Sequence, residues 1–402
     1  MHFPPELLDQ IFGYFDILLW GCISLKKFSL VAKSWVYPSQ RRIFETVYIS
    51  ERQLWSWLDN ISPKNVELLG HIRSLTYDMD ATPRVGIDPA RRMDVLRDYL
   101  PSFRQLRSLY LVCTPIPSPP QQVQVFSAFQ HTMSYFSLSN SVVTTSALVA
   151  LVNYLPNLTH LDFLNLTYHT DDEPIPPLSR PLLRKLSITQ FRPENDLYLL
   201  DQLFEVGLKF DEVDATRLGF GSNEVTWQQF TTRVIDAFGA NAQRLVLRGC
   251  PECMCALPEF FNMDSRITYN NSFADTRSLP TLSHCRELRE LTVFGSLRGT
   301  VEPNLISSIT SANISKITLV QSPAFQERPL GHTYWTQLDS SLCKLADQSK
   351  CKPRLEIELQ GYDVDEGLNF RKYLPRFHEE GRVRILVGKT RLIYYSDETE
   401  RR

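Results

Sequence analysis

The stretch Leu158-Thr159-His160-Leu161-Asp162-Phe163-Leu164-Asn165-Leu166 places apolar side chains at 158, 161, 163 and 166. Leu161 and Phe163 stand two apart, the interval at which an extended strand returns to the same face, and His160 and Asp162 fall on the opposite face. Read outward from here, the order apolar-x-x-apolar-x-apolar-x-x-z occurs again on both sides. Toward the N-terminus it fits Met133/Phe136/Leu138 with Ser141 at z, Leu106/Leu109/Leu111 with Thr114, and Ile72/Leu75/Tyr77 with Asp80. Toward the C-terminus it fits Leu183/Leu186/Ile188 with Phe191, Ala242/Leu245/Leu247 with Cys250, Leu288/Leu291/Val293 with Ser296, and Ile314/Ile317/Leu319 with Ser322.

The central residues Leu75, Leu109, Phe136, Leu161 and Leu186 are separated by 34, 27, 25 and 25 positions, close to the ~20–29-residue period of leucine-rich repeats. Helical patterns fill the gaps, at Met93–Leu100, Val123–Phe129, Ala147–Leu155, Phe230–Phe238 and Leu338–Leu345. Strands alternating with helices imply an α/β fold. The expectation is an irregular leucine-rich-repeat solenoid, with parallel strands on its concave face and helices outside. At z, Asp, Thr, Ser or Cys replaces the usual Asn in most units, so loop bonding should be less uniform than an Asn ladder. Val206–Val213 fits the pattern poorly, and 353–360 and 382–390 fit it loosely. Pro-rich loops at 115–120 and 171–177 and an irregular stretch at 249–281 interrupt the array.

Composition agrees with a folded chain. Of 402 residues, 43% are hydrophobic and 22% charged, which excludes disorder over most of the length. Lys and Arg number 43 against 45 Asp and Glu, a net charge of −2, so there is no global footprint for nucleic acid. No apolar run reaches the ~20 residues that span a bilayer. Met1-His2-Phe3-Pro4-Pro5-Glu6 lacks the features of a secretory signal. The expected setting is intracellular, cytoplasm and/or nucleus, with the eight cysteines kept as thiols.

Ahead of the array lies a short helical head, 1–45; the repeat body is 46–395, and Ser396–Arg402 is a polar tail. Pro4-Pro5 suits a first helical turn, and Leu7, Leu8, Ile11, Phe12 and Phe15 make one apolar helix face. A second helical pattern begins near Ser24, with Leu25, Phe28, Val31, Ala32 and Trp35 as its stripe. Pro38 is expected to end it, and Ser39 to cap a short further turn before a strand at Thr46–Ser50.

Two blocks of the head resemble a known family. Phe3-Pro4-Pro5-Glu6-Leu7-Leu8-Asp9-Gln10-Ile11-Phe12-Gly13-Tyr14-Phe15 is similar to the opening of an F-box, and Phe28-Ser29-Leu30-Val31-Ala32-Lys33-Ser34-Trp35 to its second signature. Pro38-Ser39-Gln40-Arg41-Arg42-Ile43-Phe44 resembles the continuation seen in F-box proteins of mushroom-forming fungi. The resemblance implies a Skp-type adaptor as partner and, through it, a cullin ubiquitin ligase. Its adaptor-binding residues would be Pro4, Pro5, Leu7, Leu8, Ile11, Phe12, Phe15, Leu30, Val31, Lys33 and Trp35.

Catalytic chemistry has little support. Cys250-Pro251-Glu252-Cys253-Met254-Cys255, with His284-Cys285, has the spacing of half a zinc site, but no second Cys-x-x-Cys completes it and Cys250 is a z residue. No metal and no cofactor are expected. His160 beside Asp162 has no Gly-x-Ser-x-Gly to serve, and Gly219-Phe220-Gly221 lacks the third glycine of a dinucleotide loop. The expectation is therefore an interaction protein rather than an enzyme: a substrate receptor of a Skp–cullin–F-box ligase. The alternative is a stand-alone repeat scaffold, with or without structural zinc. An unidentified target protein would meet the outward residues of the strands, namely Tyr110, Tyr135, His160, Asp162, Lys185, Arg244, Arg248, Glu290, Phe294 and Lys316, or else the loops.

Overall fold

The computed structural model describes residues 26–27, 30–31, 33–50, 69–78, 103–113, 126, 129–168, 175, 177–179, 182–190, 196–218, 224–250, 281–295, 301–321, 332–360, 374–379 and 382–388. The chain divides into two compact units, Met1–Leu183 with Val206–Leu208, and Arg184–Glu205 with Lys209–Arg402.

In the first unit, helix α1 (Lys33–Glu45) runs directly into strand β1 (Thr46–Ser50). Then come β2 (Ser74–Asp78), β3 (Ser108–Val112), β4 (Tyr135–Ser139), β5 (Val142–Val143), α2 (Thr145–Tyr154), β6 (His160–Leu164) and β7 (Thr167–Tyr168). β1, β2, β3, β4 and β6 pair side by side in chain order, all parallel, with Val47, Leu75, Leu109, Phe136 and Leu161 in one register. Those residues, and Ile49, Tyr77, Leu111, Leu138 and Phe163 two positions on, are buried. α2 adds buried Ala147, Leu148, Leu151 and Val152, and Thr144 caps its start by accepting a bond from the Ala147 amide at 3.4 Å. Phe126 and Phe129, each in a 3₁₀ turn, add buried rings, Phe126 meeting Phe136 edge-on at 5.9 Å.

The second unit takes β8 (Leu182–Gln190) from Arg184 onward, then α3 (Asp196–Glu205), β9 (Lys209–Leu218), α4 (Glu224–Phe238), β10 (Arg244–Cys250) and β11 (Glu290–Gly295). It continues with α5 (Val301–Ser307), β12 (Lys316–Gln321), α6 (His332–Gln348), β13 (Arg354–Gln360), α7 (Pro375–Glu379) and β14 (Val383–Gly388). β9 to β14 are parallel and adjacent in chain order, with Val213, Leu245, Leu291, Ile317, Leu355 and Val383 in register. Val234, Ile235 and Phe238 of α4, and Leu338, Leu342 and Leu345 of α6, are buried. α7 is tied to α6 by the buried Asp339, which accepts from the Phe377 amide at 3.1 Å and from Arg376 Nε at 3.2 Å.

All eight units read from the pattern are strands with the patterned residues inward. This is the α/β leucine-rich-repeat arrangement, one parallel strand per repeat. Val206–Val213 was the wrong window. The strand is β9, and its inward residues are Phe210, Val213 and Ala215. These three residues have the spacing of the other units, and Phe210 packs edge-on against Phe238 at 5.3 Å.

Three expectations are corrected. Pro38 does not end a helix: α1 continues through it to Glu45. Proline removes one i→i−4 bond, and the helix is held elsewhere, by Arg73 donating its amide to Glu45 O at 2.9 Å and by Tyr37 set edge-on to His71 at 5.3 Å. Ser39 is accordingly not a cap; it sits inside α1, fully buried. The second helical pattern is also not one helix from Ser24 to Trp35. Leu30 and Val31 form a turn, the Leu30 amide donating to Lys27 O at 3.0 Å, and α1 begins at Lys33. In the turns, an asparagine pair rather than a ladder stands one residue before z, as the non-uniform z residues led one to expect. Cys113, Asn140 and Asn165 follow β3, β4 and β6 with φ of 52°, 48° and 52°, a left-handed turn that Asn tolerates best among residues with a Cβ. Asn165 Nδ2 donates to Asn140 Oδ1 at 2.7 Å, and the Asn140 amide to Leu164 O at 2.8 Å. At z itself, Ser141 Oγ bonds Ser139 O at 2.8 Å while Leu166 is simply buried.

Helices α3, α5 and α7 went unread. In α5 Pro303 occupies the first turn, where its missing N–H has no helical acceptor anyway. Met93–Leu100, the loops at 115–120 and 396–402 lie outside the described residues.

Gly239 ends α4 by donating to Ile235 O at 2.8 Å. A Cβ there would stand 2.5 Å from that carbonyl and 2.6 Å from Cys285 Sγ. Gly239→Ala is therefore expected to cost about 1–3 kcal/mol through overpacking. It should read as a lower urea midpoint at unchanged slope; an unchanged midpoint would contradict the close approach.

Candidate protein-binding face

Because side chains alternate along each strand, every residue between two inward positions faces outward. The stacked strands collect these residues into columns. All ten residues read as candidate target contacts stand at outward positions, divided between the two units.

In the first unit the outward side chains are aromatic and hydroxylic. Tyr110 and Tyr135 lie 5.0 Å apart on adjacent strands, and Tyr135 stacks on His160 at 6.1 Å and 28°. Tyr135 Oη and Ser137 Oγ both donate to Asp162 Oδ2, at 2.9 and 3.0 Å. Thr159 Oγ1 donates to Ser134 O at 2.9 Å and lies 2.8 Å from His160 Nδ1. Its only hydrogen being committed, the hydroxyl accepts from His160, which places a proton on Nδ1. Burial first, and the Asp162 charge second, push the Tyr110 phenol above its ordinary 10.0, while a bond with Tyr135 pulls the other way. On β1, Tyr48 donates to Asp78 of β2.

In the second unit the outward side chains form a cross-strand charge lattice. Lys185 pairs with Glu212 at 2.6 Å, Arg244 with Glu212 and with Glu290 at 3.0 Å each, and Lys316 with Glu356 at 2.7 Å. Arg248 pairs with Asp214 at 3.1 Å and lies 4.4 Å from the Phe294 ring centroid, a cation–π contact. Glu212 is 15% exposed and Arg244 52%, so the carboxylate is largely covered by its partners. Exposed pairs of this kind contribute at most about 1 kcal/mol each; their effect is to cancel charge and fix side-chain positions. Glu212, Asp214 and Glu356 were not anticipated. The first two sit on β9, the strand the pattern failed to resolve.

Of the candidate adaptor-binding residues, Leu30, Val31, Lys33 and Trp35 are described. Leu30 is 86% exposed and Val31 65%, Lys33 is exposed and Trp35 half-buried. Pro4, Pro5, Leu7, Leu8, Ile11, Phe12 and Phe15 lie outside the described residues, as do Cys253 and Cys255. Among the described residues no group of three or more His, Cys, Asp or Glu is placed to hold a metal ion, and no helix is long and apolar enough to cross a membrane.

No family model and no curated protein matches the chain. Among solved structures it is similar to a chain in the crystal structure of the Rad7 and Elc1 complex in yeast, at 12% identity over 89% of this chain and 88% of that one, with a TM-score of 0.32. It is also similar to a protein of Bacteroides fragilis, at 11% identity over 86% and 74%, with a TM-score of 0.33.

Proposed function

We propose that this chain is the substrate-recognition subunit of a Skp–cullin–F-box ubiquitin ligase, working in the cytoplasm or nucleus. It binds a Skp-type adaptor through residues 1–45 and a target protein through the outward strand face. In this reading it performs no chemistry of its own and needs no cofactor; it brings a target to a ligase.

The observation that carries the reading is Leu30 and Val31. They belong to the second F-box-like block, and they are large apolar side chains held in water, 86% and 65% exposed, just ahead of a helix fixed to the first strand. Burying such a side chain on a partner is worth about 1.5–3 kcal/mol. The outward faces of the strands supply the other half, an ordered surface rich in the Tyr and Arg side chains that anchor interfaces.

The test is co-expression with a Skp-type adaptor followed by affinity purification of the complex. The wild-type chain should retain the adaptor. Leu30→Asp with Val31→Asp should lower retention at least tenfold, because the interface would have to desolvate two carboxylates. Its thermal midpoint should stay at the wild-type value, since both side chains are already solvated. Failure of the wild type to retain adaptor, or undiminished retention by the double variant, would leave the stand-alone scaffold as the function.

A further inference from the structure

The outward faces of the two units differ in how their charges are answered. In the second unit Glu212, Asp214 and Glu356 each lie against Lys or Arg. In the first unit no Lys or Arg stands at any outward position of β1, β2, β3, β4 or β6. Its two outward carboxylates, Asp78 and Asp162, accept from tyrosines instead. A phenol satisfies a lone pair and leaves the negative charge in place.

Asp162 is the centre of this arrangement. Both bonds it accepts end on Oδ2, and among the described residues none reaches Oδ1. Beside it lies the tilted Tyr110–Tyr135 pair, with interplanar angle 37°, extended by the His160 ring. The Tyr135 hydroxyl, 2.9 Å from Asp162 Oδ2, sets that charge at the edge of the ring pair. Fixed aromatic faces beside a carboxylate with a spare oxygen match a planar cation. A guanidinium stacks on such faces and donates from its edge to a carboxylate, whereas an ammonium offers only a point charge. Phosphates of a nucleic acid would meet the same charge as repulsion.

We infer that the outward face of the first unit binds an arginine-bearing peptide segment, one guanidinium lying on the Tyr110 and Tyr135 rings and donating to Asp162 Oδ1. The inference names the class of target for the receptor proposed above and rests on that reading for its biological role; the binding itself is measured separately.

The experiment is fluorescence anisotropy of the full-length chain with a labelled peptide, Gly-Ser-Arg-Gly-Arg-Ser-Gly. Matched peptides carry citrulline or glutamate in place of arginine, and labelled oligouridylate serves as the nucleic-acid control. The arginine peptide should bind and the other probes should not. Asp162→Asn should weaken binding about tenfold, the value of one charge-assisted hydrogen bond. It retains an oxygen acceptor for Tyr135 and Ser137, so circular dichroism and the thermal midpoint should match the wild type. Tyr110→Leu should weaken binding about threefold, a modest cation–π contact, while Tyr110→Phe keeps the ring and the affinity. Should Asp162→Asn fail to fold, the Leu and Phe variants at Tyr110 decide alone. Equal binding of the citrulline, glutamate or oligouridylate probe overturns the inference, and so does an affinity indifferent to these substitutions. Adaptor retention by the same preparations separates the two claims. Adaptor without peptide binding defeats the inference only, and peptide binding without adaptor defeats the receptor reading only.

Discussion

Phe136→Ala is expected to lower the unfolding free energy by about 3–5 kcal/mol, the range for emptying a large buried aromatic site. Phe136 is the central inward residue of β4, fully buried, with Leu109 and Leu161 beside it in register and the Phe126 ring against its edge. The site cannot collapse easily. β4 is held on both flanks by parallel ladders to β3 and β6, so its Cα position is fixed whether or not the ring is present. The cavity therefore persists, and the edge-on contact with Phe126 is lost as well, about 0.5–1.5 kcal/mol beyond area burial. Against a typical stability of ~5–15 kcal/mol, that is a substantial fraction. Urea denaturation measures it, with Phe136→Leu as the partner variant that keeps most of the volume. A loss below about 1 kcal/mol in the alanine variant would mean the site relaxes, and the rigid register argument would fail.

Alkali is expected to destabilise the protein through Cys285. This cysteine is fully buried, and burial first and the charge of Asp236 second push its thiol from an ordinary 9.0 up to about 12. A raised folded value means the native state holds its proton more tightly than the unfolded chain. The stabilisation is complete below pH 9 and is lost as the pH rises through about 12. The slope approaches about 1.4 kcal/mol per pH unit for one proton. The Tyr110 phenol, also raised, adds a loss of the same sign above pH 10. Urea midpoints at pH 8 and pH 10.5 under reducing conditions provide the measurement. Cys285→Ala removes the titrating group. It should cost stability at pH 8 through lost packing, yet fall less steeply between the two pH values than the wild type. Equal slopes in the two proteins would mean that the thiol ionises as freely in the fold as out of it.

How much of this was legible differed from strand to strand. The repeat at Leu161 and Phe163 was visible because both inward residues are large, as were those at Leu109, Phe136, Leu245 and Ile317. β9 was missed although Phe210, Val213 and Ala215 carry the same spacing, because Val206, Leu208 and Phe210 alternate just ahead of it and obscure where the unit begins. The turn column at Cys113, Asn140 and Asn165 was missed for a different reason. It rests on backbone φ, which only Asn hints at, and Cys113 shows that the register tolerates other residues. The outward parity of Tyr110, Tyr135, His160, Asp162, Arg244 and Arg248 followed directly from strand alternation. Their partners did not: Arg248 meets Asp214 and Phe294 across neighbouring strands, at sequence separations no local pattern spans. Pro38 was read by local rule alone, and contacts of the helix with residues 71 and 73 decided it otherwise.

Among the described residues of the first unit, parallel neighbours are one repeat apart, as with Ser139 and Leu164, or Asp78 and Val112. No described strand of the first unit waits for a residue from the far end of the polypeptide. The order of pairing is thus also the order of synthesis. β1 and β2 have their full complement of partners for one ladder once residue 78 has left the ribosome, and each later strand is received by an edge already in place. At translation rates of ~5–20 residues per second, each new strand follows within seconds. The exposed edge that invites aggregation is thereby the seat for the next repeat, occupied almost as soon as it forms.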